Sequence, residues 1–194
     1  MSGELFDPSG KRKYLSGLER EAFLKAADCA PREVRTFCAL LHVTGCRITE
    51  ALELTYDRVD LSESAIIFET LKKRREGVYR AVPVPSSVLD ALNLVHGVRE
   101  RQASRTRGKG ERLWAWSRAT AWRRVKEVME EAGIDDGPQA TPKRLRHGFG
   151  VNAVSKGVPL NMLSKWMGHA QLSTTAIYAD AVGAEEKNIA ARMW

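Results

Sequence analysis

The 194-residue sequence lacks the features of a membrane-spanning, fibrous or disordered chain. It has no run approaching the roughly 20 consecutive apolar residues that cross a bilayer, and residues 1–13 contain no apolar stretch typical of a secretion signal. It also has no internal repeat and no low-complexity segment. With 43% hydrophobic and 28% charged residues, the chain has enough apolar side chains for one packed domain, and we expect no membrane partner.

Cysteine is scarce, and the three cysteines cannot all pair within one chain. Cys29, Cys38 and Cys46 form no C-x-x-C motif, so we expect a reducing cytoplasm rather than a disulfide-stabilised secreted protein. Cys38, His42 and Cys46 recur every four residues, which would place them on one helical face. Because no fourth ligand is nearby and small thiols are common in cores, we predict core residues here, with no metal and no cofactor.

Acidic residues are fewer than basic ones, 24 against 31, which gives a formal net charge of +7. A surplus of this size favours a polyanionic partner, and nucleic acid is the first expectation. Three tryptophans at 114, 116 and 122 flank a basic stretch and either stack on DNA or pack in the core; helical spacing favours the core for Trp122. We expect nonspecific phosphate contacts from Lys73, Arg74, Arg75, Arg105, Arg107, Lys109 and Arg144.

Caps and apolar spacing predict a mainly α fold with a small antiparallel β-hairpin, an α+β class. The capping box S-G-L-E at 16–19 opens the first helix, and Pro31 suits the start of the second. Runs of β-branched and aromatic residues at 65–69 and 78–84 flank a basic tip and predict the hairpin. We predict a loose basic arm over residues 1–15, one domain over 16–183 and a tail helix over 184–194.

Four segments place strong functional groups beside glycines or helix caps, as expected for a site assembled from several elements. In the third segment Lys143 and Arg146 lie three apart on the first turn of a predicted helix and therefore share a face. The segments are TGCRITE (44–50), KKRREG (72–77), TPKRLRH (141–147) and WMGHAQLSTTAIY (166–178).

Together these segments resemble the tyrosine recombinases, also called the phage integrase family, from about residue 14 to residue 181. The family's first arginine box, T-G-x-R-x-x-E, stands here as TGCRITE, and its second, commonly H-x-L-R-H, stands as KRLRH. The order and approximate spacing of all four boxes agree. The resemblance implies a DNA recombinase that cuts and rejoins strands through a covalent 3′-phosphotyrosyl link without a metal, acting on double-stranded DNA at the cytoplasmic nucleoid.

The resemblance also implies roles for individual residues. Arg47 and Arg146 correspond to the two arginines that clamp the phosphate, His169 to the final histidine and Tyr178 to the nucleophile. The pKa of a free tyrosine is near 10, so we expect the adjacent cationic groups to lower it. Two arginines can take the place of a metal, because they stabilise the charge that develops on the phosphate.

Other positions receive supporting roles or depart from the family pattern. Lys72 corresponds to the hairpin lysine that protonates the departing 5′ oxygen, although a long turn leaves Lys73 as the alternative. Glu50 and His147 are expected to support the catalytic side chains through hydrogen bonds without contacting the DNA themselves. The usual histidine three before the second arginine is Lys143 here, which keeps a hydrogen-bond donor but is a poor neutral base, so we predict a donor to phosphate or leaving group.

The domain organisation and the assembly leave alternatives open. Most family members carry an N-terminal helical domain on the other face of the DNA, but only about 15 residues precede the first helix here. We therefore expect an accessory partner that supplies this clamp, a minimal recombinase, or a shortened sequence. The tail at 184–194 docks either on a neighbouring protomer, giving a dimer or tetramer on DNA, or on its own domain. A type IB topoisomerase and a non-catalytic DNA-binding regulator are the alternative functions.

Overall fold

The computed structural model describes residues 5–70, 77–104, 110–134 and 140–180, together with residues 187, 190, 191 and 193. Within these residues the chain is mostly helical, as predicted, with a small antiparallel sheet. The strands are β1 (Val59–Asp60), β2 (Ala65–Glu69) and β3 (Tyr79–Pro83). The helices are α1 (Gly17–Cys29), α2 (Arg32–Thr44), α3 (Ile48–Leu52), α4 (Ser86–His96), α5 (Val98–Ala103), α6 (Arg118–Glu131), α7 (Pro142–Ser155), α8 (Leu160–Met167) and α9 (Ser173–Ala176).

The first helix boundaries follow from their capping residues. The Ser16 hydroxyl accepts the Glu19 backbone N–H at 3.3 Å, and the Glu19 carboxylate accepts the Ser16 N–H at 2.8 Å, so the predicted capping box is confirmed. Pro31 precedes α2, and Gly45 ends it with a φ of 59°. This left-handed conformation suits glycine, and a Cβ there would also collide with the Phe149 ring.

The sheet has the strand order β1-β2-β3 with antiparallel neighbours, so the predicted hairpin is confirmed. Phe68 pairs with Arg80 and Ile66 with Val82 across β2 and β3. Strand β1 was not expected, because two residues carry no readable periodicity. The segments 71–76, which hold Lys72, Lys73, Arg74 and Arg75, and 105–109, which hold Arg105, Arg107 and Lys109, lie outside the described residues.

Two clusters of buried side chains form the core. The larger one joins α1, α2, α4, α6 and the sheet, and it includes Phe23, Phe37 and Trp114. Trp114 is only 1% exposed and donates its indole N–H to the Glu33 carbonyl at 3.0 Å, so it is a core residue and not a DNA-stacking one. The smaller cluster packs the N-terminal segment and Tyr178 against α7 and α8.

The N-terminal segment differs from the loose arm that its polar composition predicts. Leu5, Tyr14 and Leu15 are buried, and the Leu15 N–H donates to the Arg144 carbonyl at 3.3 Å. Arg144 in turn donates to the Lys13 carbonyl at 3.0 Å. A few apolar residues in a mostly polar segment are enough to dock residues 5–15 on α7, because burying each large side chain contributes roughly 1.5–3 kcal/mol.

The remaining helical regions are residues 86–103 and the C-terminal tail. Residues 86–103 form two helices, because Gly97, with a φ of 64°, ends α4 and begins α5. Of the predicted tail helix over 184–194, only residues 187, 190, 191 and 193 are described, so that helix stays a prediction. Among the helices described, none combines the length and apolar character required to cross a membrane.

Helix α7 carries two glycines where neighbouring groups approach its backbone closely. A Cβ at Gly148 would lie 2.6 Å from the Leu15 carbonyl oxygen, and a Cβ at Gly150 would lie 2.6 Å from the Tyr178 ring. Glycine is unfavourable inside a helix by roughly 1 kcal/mol relative to alanine. Here it permits the N-terminal segment and Tyr178 to pack directly on α7.

We expect Gly148→Ala to lower the free energy of unfolding by about 1–3 kcal/mol, because the added methyl group displaces the Leu15 backbone. Gly17→Ala is the matched control, since it lies at the start of α1 with no atom within 4 Å of its added Cβ. Urea unfolding of both variants measures the difference. A Gly148→Ala protein as stable as the parent would show that residues 5–15 do not pack on α7 in solution.

Candidate functional site

Residues from the predicted motifs line one cleft of about 400 Å³. The cleft is bounded by the beginnings of α3, α6 and α7 and by the α8–α9 region. Helix N-termini carry partial positive charge and favour anions, so this arrangement adds to the charge of the side chains. The predicted site residues that line it are Arg47, Lys143, Arg146, His147, His169 and Tyr178.

Arg47 is fixed by Glu50 at the start of α3. The Arg47 backbone N–H donates to Glu50 Oε2 at 2.8 Å, and its Nη1 donates to Oε1 at 2.7 Å. The Glu50 side chain is fully buried, whereas 24% of the Arg47 side chain is exposed. Glu50 therefore fixes the position of Arg47 from the buried side, and the Arg47 guanidinium stays partly exposed to the cleft.

Arg80 is a site-supporting residue that the sequence reasoning missed. It lies on β3, and its side chain is 5% exposed. Its Nη2 donates to Glu50 Oε2 at 2.7 Å, its Nε to the Trp166 carbonyl at 2.8 Å and its Nη1 to the Thr70 hydroxyl at 3.3 Å. The alternation along β3 could have revealed it, because Arg80 shares its inward face with Val82.

The charge of Glu50 follows from these contacts. Burial alone would raise the pKa of Glu50, but the positive charge of Arg80 and the hydrogen bonds from Arg47 and Arg80 bring that pKa below its ordinary value. Glu50 is therefore ionised at neutral pH. One buried carboxylate thus joins two guanidinium groups, one in the core and one at the cleft.

Arg146 is buried and is held by backbone carbonyl groups. Its Nη1 donates to the Gly45 carbonyl and its Nη2 to the Met167 carbonyl, each at 2.6 Å. These carbonyls belong to the C-terminal ends of α2 and α8, where the helix dipole is negative. Burial and the nearby charge of Arg47 lower the pKa of Arg146 to about 10, so it remains a cation at pH 7.

His169 is oriented by two hydrogen bonds that define its tautomer. Its Nε2 lies 3.1 Å from Arg146 Nη2, and its Nδ1 lies 2.8 Å from the Thr175 hydroxyl. Because arginine only donates, Nε2 must accept, so the neutral ring carries its proton on Nδ1 and donates to Thr175. Burial, followed by the charges of Arg146 and Arg47, lowers the pKa of His169 to about 3.

Tyr178 is buried between two imidazole rings and the backbone of α7. Its ring is stacked on that of His169 at 6.3 Å, and its hydroxyl lies 3.3 Å from His147 Nδ1. Burial raises the pKa of Tyr178 to about 12 and outweighs the opposite effect of Arg146 and Arg47. Arg146 and Arg47 lower this pKa as expected, but desolvation dominates, so the net pKa lies above that of free tyrosine.

The two basic residues that precede Arg146 face different surroundings. Lys143 is exposed and lines the cleft on the first turn of α7, as its spacing from Arg146 predicts. Arg144 donates to the Lys13 carbonyl of the N-terminal segment and is not among the residues that line the cleft. Its predicted phosphate role therefore gains no support from the structure.

Helix α6 contributes two cleft residues that were not assigned to the site. Arg118 and Trp122 lie one turn apart after the cap at Ser117, whose hydroxyl accepts the Thr120 N–H at 3.1 Å. Trp122 is 45% exposed, so the prediction that it packs in the core is wrong. The sequence did offer a signal for this position. Arg118 lies four residues before Trp122, and residues at i and i+4 share one face of a helix, so the pair places Trp122 on the face of Arg118.

We expect the free energy of unfolding to fall as the pH is lowered from about 6.5 to about 4. Burial lowers the pKa of His42 and His169 to about 3 and that of His147 to about 4. Unfolded histidines bind protons below pH 6.5, so in this window the unfolded state binds more protons and is favoured by acid. Urea unfolding at several pH values measures the slope of the unfolding free energy against pH, which gives the number of protons taken up on unfolding. His147→Asn should lower this number by about one. A flat profile would contradict these pKa values.

Comparison with known proteins identifies the family. Residues 13–184 match the sequence profile of the phage integrase family. Tyrosine recombinase XerD of Mycobacterium leprae is 32% identical over 154 residues, which cover 74% of this chain and 46% of that protein. The crystal structure of XerA recombinase superposes with a TM-score of 0.76 at 23% identity, covering 93% of this chain and 64% of that one.

A third similar protein is the Tn1549 transposon integrase, whose structure was solved in complex with transposon right end DNA. It has a TM-score of 0.65 at 20% identity, and the match covers 93% of this chain and 64% of that chain. The present chain thus spans about half to two thirds of the length of these relatives. The family match extends across all the motifs that meet at the cleft, and the chain belongs to the phage integrase family, that of the tyrosine recombinases.

Proposed function

We propose that this chain cuts and rejoins double-stranded DNA through a covalent 3′-phosphotyrosyl intermediate, as a site-specific recombinase. The observation that carries the proposal is the meeting of Arg47, Arg146, His169 and Tyr178 in one cleft. A tyrosine and two guanidinium groups that line one cleft match the needs of an attack on a phosphodiester. The DNA complex of the related Tn1549 integrase supports DNA as the substrate.

The two arginines supply the electrostatic part of the reaction. A phosphodiester gains negative charge on its non-bridging oxygens as a nucleophile attacks, so donors placed in advance stabilise the transition state more than the ground state. Arg47 is held by Glu50, and Arg146 by two carbonyl groups, which limits the reorganisation that each must undergo. The two arginine side chains therefore supply positive charge where the phosphate gains negative charge.

The covalent step conserves the energy of the phosphodiester. The Tyr178 oxygen forms a bond to phosphorus, and the 5′ oxygen of the next nucleotide leaves and takes a proton. Lys72, with Lys73 as the alternative, is the proposed proton donor, and both follow β2 in the sequence. A second 5′ hydroxyl can then attack the phosphotyrosine and rejoin a strand.

Lys143 is proposed to donate to a phosphate oxygen or to the leaving group. It is exposed, lies at the cleft and belongs to the first turn of α7, where the helix dipole adds to its attraction for anions. A lysine ammonium has three donors and no acceptor, so Lys143 binds an anion but does not remove a proton from Tyr178.

The proposed reaction also requires a clamp on the DNA and more than one protomer. The chain covers 46% of the Mycobacterium leprae relative, so we infer that a further protein segment or an accessory partner clamps the other face of the DNA. Strand exchange joins two sites, which calls for self-association as a dimer or tetramer on DNA. The expected location is the cytoplasmic nucleoid, where the DNA substrate lies.

We expect Tyr178→Phe to abolish formation of the covalent adduct while DNA affinity stays within a few-fold of the parent, because the hydroxyl is the nucleophile. The assay incubates the protein with a nicked suicide duplex and separates the products by denaturing electrophoresis. Tyr79→Phe is the control, since it removes an exposed hydroxyl on β3. Adduct formation by Tyr178→Phe would refute the assignment. If the parent protein forms the adduct and also relaxes supercoiled DNA without a defined site, it is a topoisomerase. If it binds DNA but forms no adduct, it is a DNA-binding regulator.

We expect Lys143→His to keep cleavage near the parent rate and Lys143→Ala to slow it by about 10-fold or more, because imidazole can also donate to a phosphate oxygen. Lys156→Ala serves as the control, since Lys156 is exposed at the end of α7 and does not line the cleft. Single-turnover cleavage of the same duplex gives the rates. Equal rates for Lys143→Ala and Lys156→Ala would place Lys143 outside the reaction.

A further inference from the structure

The nucleophile of this cleft requires a proton acceptor. When the Tyr178 oxygen bonds to phosphorus, its hydroxyl proton has to leave, and burial makes this proton harder to remove than that of free tyrosine. The two arginines and Lys143 cannot accept it, because their protonated side chains carry no lone pair. His169 Nε2 is already occupied by the donor Arg146 Nη2, and its Nδ1 carries the ring proton.

His147 meets the geometric requirement for this acceptor. Its Nδ1 lies 3.3 Å from the Tyr178 hydroxyl oxygen. The two ring centroids are 5.8 Å apart, and the ring planes are tilted by 56°. His147 follows Arg146 on α7, so the acceptor and one phosphate-binding arginine are adjacent on the same rigid helix.

The protonation state of His147 also suits an acceptor. Burial, followed by the charges of Lys143, Arg144 and Arg146, lowers the pKa of His147 to about 4. The ring is therefore neutral at pH 7, and in the tautomer that carries its proton on Nε2 the Nδ1 lone pair can accept the Tyr178 O–H. A phosphodiester entering the cleft brings negative charge close to the ring, which raises its basicity at the stage when a proton has to be accepted.

We propose that His147 is a catalytic residue that accepts the Tyr178 proton during strand cleavage; this inference rests on the proposed function. As the Oη–phosphorus bond forms, the proton moves from Oη to His147 Nδ1. The bond between phosphorus and the 5′ oxygen breaks, and that oxygen receives its proton from the hairpin lysine. In rejoining, the 5′ hydroxyl attacks phosphorus and gives its proton to the hairpin lysine, the bond between phosphorus and Oη breaks, and His147 returns its proton to Oη.

The first test replaces the base but keeps a hydrogen-bond acceptor. In His147→Asn the amide oxygen can accept the Tyr178 hydroxyl, but it is not basic, so positioning is retained and proton transfer is lost. Single-turnover cleavage of a suicide duplex at saturating protein should fall by about 10²-fold or more, with DNA affinity within a few-fold of the parent. His96→Asn is the matched control, since His96 contacts Thr36 and Trp114 away from the cleft.

The second test restores the base from solution. His147→Ala leaves space beside the Tyr178 hydroxyl, and added imidazole should increase its cleavage rate. Among methyl-substituted imidazoles of similar size, the rescued rate should rise with the pKa of the added base. A purely structural role for His147 would not give a dependence on basicity. Tyr178→Phe with His147→Ala should show no rescue, because no nucleophile remains.

The outcomes separate this inference from the function on which it rests. A parent protein that forms no adduct on the duplex would refute the proposed recombinase activity, and His147 would then have no reaction to serve. If the parent is active and His147→Asn cleaves as fast or faster, only the role of His147 is refuted. The contact between His147 and Tyr178 would then only position the tyrosine in the unbound protein. Rescue independent of the added base's pKa would overturn the inference in the same way.

Discussion

The buried ion pair between Glu50 and Arg80 is the interaction on which the geometry of the cleft depends. Arg80 binds Glu50, the Trp166 carbonyl and the Thr70 hydroxyl, and thereby joins α3, α8 and the base of the hairpin. Its guanidinium also lies over the Phe68 ring at 5.1 Å. Removing one partner of such a buried pair typically costs about 3–5 kcal/mol, because the other charge is left uncompensated. The same carboxylate positions Arg47, so the stability of the core and the placement of a phosphate-binding group have a common origin.

Much of this site could be predicted because its residues lie beside local signals. A helix-ending glycine precedes Arg47, a first-turn proline precedes Lys143 and Arg146, and another glycine precedes His169. Arg80 and Trp122 have no glycine or cap beside them, and only the alternation along β3 and the helical spacing from Arg118 point to them. The alternation shows that Arg80 faces inward, but its partners lie 10, 30 and 86 residues away in the sequence, and no local pattern identifies partners at that range.

Burial is the property that sequence reasoning judged least well. Residues 5–15 look polar but dock on α7, whereas Trp122 looks apolar but is 45% exposed. The pKa of Tyr178 shows the same limit, since a count of neighbouring cations gives the wrong direction once desolvation is included. In each case the outcome depends on how elements pack, and packing is decided by surfaces that are distant in the chain.

Arg146 and Arg47 differ in how far their positions can withstand mutation. Arg47 is oriented by the Glu50 side chain, so a substitution of Glu50 that removes both acceptor oxygens removes that restraint. Arg146 is oriented by the Gly45 and Met167 carbonyl groups, which belong to the backbone at the ends of α2 and α8. The restraint on Arg47 therefore depends on one side chain, whereas the restraint on Arg146 depends on where α2 and α8 end, and for α2 that is fixed by Gly45.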